Sequence, residues 1–445
     1  MIEYAYPHDL ARYVRACWSE RAAEGALAGA SVVPAPLPPP AVLDAFLSVA
    51  YQASLLRDEG RGVIFRLLLA GAEHFPEDEG PPTGLHRLDL TEPRPLTAHE
   101  LRVLAPAVDY YRSLIAVRPG RDDALEIWGI LHSGPRWLRS LQGGRRAAPP
   151  LPPVLAVHAT GPGRIEVSCG STPIGKLDNG RVLGRSMDVF RSRWLPAWFA
   201  SVRREVEERH ATARRQADRP WAALAPDVLR TTAQHMVRRI LSAIVSSHHG
   251  GALLVVPPER AAELLGANPD VRFRYTFRAG EPRRRFQRLI TEVLNTLAAL
   301  GARTHELGHP MTWKDYESST DSRLAGLEEA IFELSHLIAR LAAIDGAVVL
   351  TKRFELLGFG AEIIGGGEYV PTVARAVDLE GEHREVEPTT NVGMRHHSAY
   401  RLCQDVRDAL AIVVSQDGSV QFVRWLDGSV TYWNQEALSG LTFDE

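Results

Sequence analysis

The chain has 445 residues, 45% of them apolar and 24% charged, with a formal net charge of −3. Two or three domains with ordinary cores fit that length, and the composition excludes a disordered or collagen-like chain. The small negative charge excludes a global basic field that would recruit nucleic acid. Cys17, Cys169 and Cys403 are far apart with no CxxC pair, which excludes a disulfide framework or a zinc ribbon and fits a reducing compartment. The amino terminus, MIEYAYPHDLARYVRACWSE, has no apolar signal core, and no run approaches the roughly 18 apolar residues of a membrane span. The expectation is a soluble, cytoplasmic protein without a membrane partner.

Proline runs at 34–40 and 149–153 read as extended connectors. Between them the pattern predicts a helix over 41–57, a strand around Val63, a helix over 97–115 and a strand ending at His132. VLAVHAT, RIEVSCG and the turn Asp178-Asn179-Gly180 predict an antiparallel meander. This amino-terminal module, residues 1–195, reads as mixed α and β. RREVEERHATARRQADR then predicts a charged, solvated helical linker over 196–225, laced with opposite charges one turn apart.

After Pro226, with Asp227 as N-cap, apolar positions at helical spacing predict a long helix. Strands GGALLVVP and VRFRYTF follow, then a helix over 283–300 that stops near Gly301, a polar loop, and a helix over 322–343. The strand of Asp345-Gly346-Ala347, its hairpin partner ELLGFGAEI, a helix opening at Gly393 and strands LAIVVSQ and VQFVRWL complete the chain. The fold class expected for 226–435 is α/β in the mixed α+β sense: one mixed sheet flanked by helices.

Three motifs compete for attention. His305-Glu306-Leu307-Gly308-His309 matches the HExxH pattern of zinc proteases, but Gly308 and Pro310 oppose the continuous helix that two metal-binding imidazoles require. GSTPIGK at 170–176 matches the start of a phosphate loop, yet Leu177 replaces the metal-binding hydroxyl and a turn replaces the helix. Arg283-Arg284-Arg285 lacks interleaved aromatics and reads as a solvated helix face.

Three other segments share one chemistry. Asp345 stands beside two small residues that let a ligand approach the backbone. Arg395, His396 and Ser398 crowd a helix start, where amide N–H groups favour phosphate, and Ser415 closes a strand. A phosphate-bearing ligand and a divalent metal on Asp345 suit that kit.

The ordered set of DGA, then MRHHSA some fifty residues later, then IVVS with its turn, resembles the diadenylate cyclase (DAC) domain. That domain is found in the bacterial DNA integrity scanning protein and in membrane-bound cyclic di-AMP synthases. Gly251-Ala252-Leu253 and Gly358-Phe359-Gly360-Ala361-Glu362 support the match, which spans about 226–430. The resemblance implies that two ATP-loaded domains meet face to face in a homo-oligomer. Each ATP 3′-hydroxyl attacks the other's α-phosphate, releasing pyrophosphate and forming cyclic di-AMP. It implies that Asp345 holds Mg²⁺ or Mn²⁺, that Arg395 and His396 hold phosphates, and that Ser398 and Ser415 donate hydroxyls. Gly346 and Ala347 would contact the nucleotide through backbone, with Phe359 and Ile363 as adenine walls.

The family's usual Thr-Arg-His-Arg stands here as Met394-Arg395-His396-His397, and its Ser-Glu-Glu turn as Ser415-Gln416-Asp417. Losing the second arginine removes a bidentate phosphate donor. Turnover and nucleotide binding without turnover both stay open, with the zinc protease a lesser alternative. The amino-terminal module more loosely resembles sensor domains that precede DAC domains, its signal being an unknown small molecule or protein. No DNA-binding segment is inherited from the resemblance.

Overall fold

The apolar strand runs of the two halves pair into two separate sheets, each flanked by helices. The structure, a computed structural model, describes residues 4–27, 35–77, 80, 85–110, 112–120, 124–133, 151–170, 172–178, 180–183, 187–247, 249–266, 270–304, 309–364, 369–390, 392–416 and 418–435. The chain divides into two compact units, whose described residues lie in 4–183 and 187–435.

In the first unit, helices α1 (Pro7–Leu27), α2 (Pro40–Ser54) and α3 (Ala98–Leu104) accompany an eight-stranded sheet. Its strands are β1 (Phe65–Leu69), β2 (His86–Pro95), β3 (Ser113–Pro119), β4 (Leu125–His132), β5 (Leu155–Gly161), β6 (Arg164–Cys169), β7 (Thr172–Asp178) and β8 (Arg181–Leu183). They lie in the order β8-β7-β6-β5-β1-β3-β4-β2, with only the β1–β3 pair parallel among the described residues. The helices bury Leu10, Val14, Leu43, Phe46 and Leu101 against Phe65, Leu67, Val157 and Val167 of one sheet face.

The helix expected over 97–115 is corrected. It ends at Leu104, a 3₁₀ turn containing Pro106 follows, and Ser113–Pro119 is a strand whose Leu114–Val117 run is fully buried between its neighbours. Of GSTPIGK, whose alternative to a phosphate loop is a turn in the meander, Thr172–Lys176 lie in strand β7, where Gly175 pairs with Val167.

The second unit carries α4 (Trp194–Trp198), α5 (Ala200–Gln216), α6 (Val228–Ser246), α7 (Ala261–Leu265), α8 (Glu281–Thr304), α9 (Trp313–Ser318), α10 (Ser322–Ala342) and α11 (Met394–Asp405). Its strands are β9 (Gly251–Val256), β10 (Val271–Thr276), β11 (Ala347–Thr351), β12 (Leu356–Ile363), β13 (Thr372–Ala376), β14 (Arg384–Pro388), β15 (Leu410–Val414), β16 (Val420–Leu426) and β17 (Ser429–Gln435). The order is β10-β12-β11-β9-β15-β16-β17-β13-β14. Helices α6, α8 and α10 pack on one face around Leu253, Val348 and Ile412; α11 packs on the other around Leu254, Val349 and Val413. Both edge strands carry charged side chains: Arg272 and Arg274 on β10, and Arg384, Glu385 and Glu387, followed by Pro388, on β14.

The charged linker expected over 196–225 is also corrected, and with it the boundary at 195. Val202 and Val206 of α5 are buried, Glu205 accepts two 2.7 Å hydrogen bonds from Arg353, and His210 meets Asn295 at 2.7 Å. A narrow apolar stripe of two valines suffices because ion pairs flank it. Upstream, Asp188 accepts from buried Arg238 at 2.9 Å and from Gln435 at 3.0 Å, and Val189 N–H donates to Gln435 at 2.7 Å. The chain is therefore fastened to the second unit from residue 188 onward.

Three smaller expectations also change. Asp227 stands at the N-cap of α6 but makes no side-chain cap bond. Arg283 is buried and bridges Glu355 at 3.0 Å, so the triple arginine is only partly a solvated face. Helix α8 runs past Gly301 to Thr304.

Replacing Val206 with Asp places an unpaired carboxylate against an apolar wall. It should lower the unfolding free energy of the second unit by roughly 3 kcal/mol. Denaturant titration followed by tryptophan fluorescence checks this, and an unchanged midpoint would restore the solvated-linker picture.

Candidate functional site

β9 is the axis of the second unit's chemistry. It pairs parallel with β11 (Leu253 beside Val348) and antiparallel with β15 (Gly251 beside Val414). Continuing the parallel register back by two residues sets Gly346 beside Gly251. The starts of β9 and β11 and the end of β15 therefore share one edge, which gathers Gly250, Asp345, Gly346, Ala347 and Ser415.

Two glycines are required there. Gly250 has φ +65°, and a Cβ on it would stand 2.7 Å from the Val414 carbonyl oxygen and 3.1 Å from Nη1 of Arg395. Gly346 has φ +106°, and its Cβ would fall 2.7 Å from the carbonyl carbon of Gly360. Only glycine tolerates both the backbone and the crowding. The first contact brings Arg395, in the opening turn of α11, to the same edge. Gly393 caps that helix without a side chain, and its carbonyl accepts from His396 and His397 at 3.0 and 3.2 Å.

Asp345 is exposed and Arg395 half-buried, and neither makes an ion pair among the described residues. Ser398 lies three residues on from Arg395, on the same side of α11, and is half-buried. At Ser415 the amide donates to Ser419 at 2.9 Å and the carbonyl accepts from Gly418 at 3.0 Å, forming the expected turn. His396 approaches the Tyr400 ring at 6.3 Å, and His397 that of Tyr369 at 5.7 Å.

The paired adenine walls do not assemble. Phe359 stacks on Tyr275 at 4.8 Å and packs with the α6–α8–α10 face, whereas Ile363 packs with the α11 face. The register shift between Ala347 and Val349 adds one residue to β12 within Gly358–Ala361, which turns the two to opposite faces. Of the zinc-protease motif, His305, Glu306, Leu307 and Gly308 lie outside the described residues, and His309 is exposed. Asp417 also lies outside them.

The first unit holds a polar ladder that the strand reading missed. Arg66, His158 and Glu166 stand on three adjacent strands at paired positions, with Lys176 on the fourth. Arg66 Nε donates to His158 Nδ1 at 3.2 Å, which assigns the imidazole proton to Nε2, 3.1 Å from Ser168 Oγ; that hydroxyl donates to the Gly170 carbonyl. The signal was a lone cation inside the apolar run FRLLL.

Burial, then the nearby Arg66 charge, holds His158 well below its ordinary range; burial raises Glu166 to about 7 against the lowering pull of Lys176 and Arg66. The two act oppositely. As pH falls through 6.5 the unfolded chain protonates at His158 and the folded one does not, so stability is lost. As pH falls from 7 toward 4.5 the folded chain holds a proton on Glu166 that the unfolded one lacks, so stability is gained. Glu166→Gln should therefore expose the histidine's effect: its melting temperature drops more steeply from pH 7 to pH 5 than the parent's. Equal slopes in thermal melts at pH 5, 6 and 7 would refute the assignment.

A family model described as "Probable sensor domain DACNV" matches residues 33–132, within the first unit; this family is associated with diadenylate cyclase proteins. No curated protein matches the chain. One solved structure, described as a hypothetical membrane spanning protein from Bacillus cereus, is 17% identical, with a TM-score of 0.21. The match covers 45% of this chain and 62% of that one, so it spans under two thirds of that protein's length.

Proposed function

We propose that the second unit is a diadenylate cyclase, joining two ATP into cyclic di-AMP and two pyrophosphates under the influence of the amino-terminal sensor region. The observation that carries the reading is the strand register, which gathers Asp345, Gly346, Ala347, Gly250 and Ser415 at one sheet edge beside Arg395. The family match at residues 33–132 supports it from the other unit.

Roles follow from chemistry. Arg395, a cation at a helix start with no ion pair among the described residues, would bind phosphate oxygens together with the first amides of α11. Ser398 and Ser415 would donate hydroxyls, and the bare backbone at Gly346 lets a nucleotide approach closely. His396 would add a donor to the same phosphates. The described residues contain no cluster of three metal-ligating side chains. The carboxylate of Asp345 would hold a Mg²⁺ or Mn²⁺ ion shared with the nucleotide's phosphates. Such an ion would neutralise phosphate charge, while Asp345 positions it and Arg395 orients the chain of phosphates. Two copies with these edges opposed would complete the reaction.

A second reading, nucleotide binding without turnover, is favoured by His397 where the resemblance expects a second arginine. Purified protein with ATP and Mn²⁺ or Mg²⁺ should yield cyclic di-AMP by chromatography, and Asp345→Asn should reduce it by about a hundredfold or more. Arg395→Ala should weaken ATP binding about tenfold. ATP binding with no cyclic product would select the second reading; absence of both would remove the nucleotide site.

A further inference from the structure

Arg274 stands at the sheet tip that gathers Asp345 and Gly346. In the pairing of β10 with β12, Phe273 sits beside Ala361 and Tyr275 beside Phe359, which places Arg274 opposite Gly360. Gly360 in turn is level with the start of β11, where Ala347 pairs with Ala361. A Cβ on Gly360, whose φ is +61°, would lie 3.1 Å from Cβ and 3.7 Å from Cδ of Arg274. The same point is 3.7 Å from the Asp345 carbonyl oxygen. The arginine side chain therefore lies along bare glycine backbone, on the flank of the residue whose carboxylate is the proposed metal ligand.

Its charge is uncommitted. Arg274 is exposed and makes no ion pair among the described residues. Glu362, the acid of this strand pair, accepts from Arg272 instead; that bond, then the fields of Arg272 and Arg274, holds its carboxyl below the usual range. On the other flank of β11, Arg395 reaches the backbone of Gly250 ahead of β9. β11 lies between β12 and β9 in the sheet, so the two arginines approach Asp345 from opposite sides. Their backbone contact points stand two strand spacings apart, about 10 Å, which arginine side chains and a triphosphate can bridge. His397, where the resemblance expects a second arginine, lies beside Tyr369 with ring centres 5.7 Å apart.

We infer that Arg274 is the second phosphate-binding cation of the nucleotide edge, holding the triphosphate from the side of Asp345 opposite Arg395. The assignment rests on the nucleotide reading of that edge. A triphosphate carries more negative charge than one arginine and one divalent ion cancel, so a further cation is favoured there. Guanidinium suits the place because it takes two phosphate oxygens at once and keeps its charge across the working pH range. Gly360 is the companion requirement. With a positive φ and no side chain, it leaves the arginine room to lie toward β11.

Binding of 3′-deoxy-ATP, which lacks the attacking hydroxyl and so is not consumed, tests this by calorimetry on the full-length protein with Mg²⁺. Inorganic triphosphate serves as a second titrant that reports phosphate contacts alone. Arg274→Ala should weaken both about tenfold at an unchanged melting temperature, and Arg274→Lys should recover part of the loss. Arg278→Ala removes another exposed arginine without an ion pair among the described residues, and should leave both affinities unaltered. Unchanged affinities in Arg274→Ala, alongside a loss in Arg395→Ala, would overturn the assignment and leave the nucleotide reading standing. Equal losses in Arg274→Ala and Arg278→Ala would also overturn it, by reducing Arg274 to general surface charge. No binding of 3′-deoxy-ATP by the parent protein would remove the nucleotide reading and this assignment together.

Discussion

The parallel pairing of β9 with β11 is the constraint on which the second unit's chemistry depends. Parallel strands begin at the same end, so the crossover through α7, β10, α8, α9 and α10 returns Asp345 to the level of Gly250. An antiparallel partner on the other side of β9 then finishes where its neighbours start, which adds Ser415. Residues more than 160 positions apart in sequence become neighbours through this pairing alone. Loops at strand ends are free to carry polar groups while the strands between them are apolar and buried. The fully buried pattern of β9, β11 and β15 meets that demand.

Much of this was legible because each strand of the site is a short apolar run flanked by glycine or a turn residue. The helix over Ser322–Ala342 was equally plain, with Leu324, Leu327, Ile331, Leu334 and Ile338 on one face. What escaped was set by distant partners. Strands β13, β14 and β17 have polar or mixed sequences that become strand only by pairing with one another and with β16. Helix α1, by contrast, carries a readable signal in Leu10, Val14 and Trp18, one turn apart, among surface residues too polar for a signal core. Phe359 and Ile363 share sequence parity, so alternation alone puts them together; the bulge that separates them leaves no mark beyond glycines at 358 and 360.

Helix α5 shows how composition misleads about burial. Its mean character is strongly polar, yet a few contacts hold it: two valines, a bidentate ion pair and one histidine–asparagine hydrogen bond. Deeper in the unit, Arg239 donates to Glu328, whose other oxygen accepts from Tyr316 at 2.6 Å, tying α6 to α10 and α9. A buried pair of this kind adds little net stability over an apolar replacement, but its loss leaves a stranded charge. The ion pairs therefore fix which helix faces which, and the apolar cluster supplies the cohesion.

The two charged edge strands carry a consequence for how copies of the protein can associate. An open strand edge is a template for indefinite sheet extension, and the nine-stranded sheet of this unit has two. Extending β14 would set Arg384, Glu385 and Glu387 against a newcomer, with Pro388 withholding a donor; extending β10 would oppose Arg272 and Arg274. Fibrous growth along the hydrogen-bonding direction is discouraged at both ends. The paired assembly that the proposed cyclase reaction would need runs through the glycine-rich tips of the strands, and neither open strand edge would take part in it.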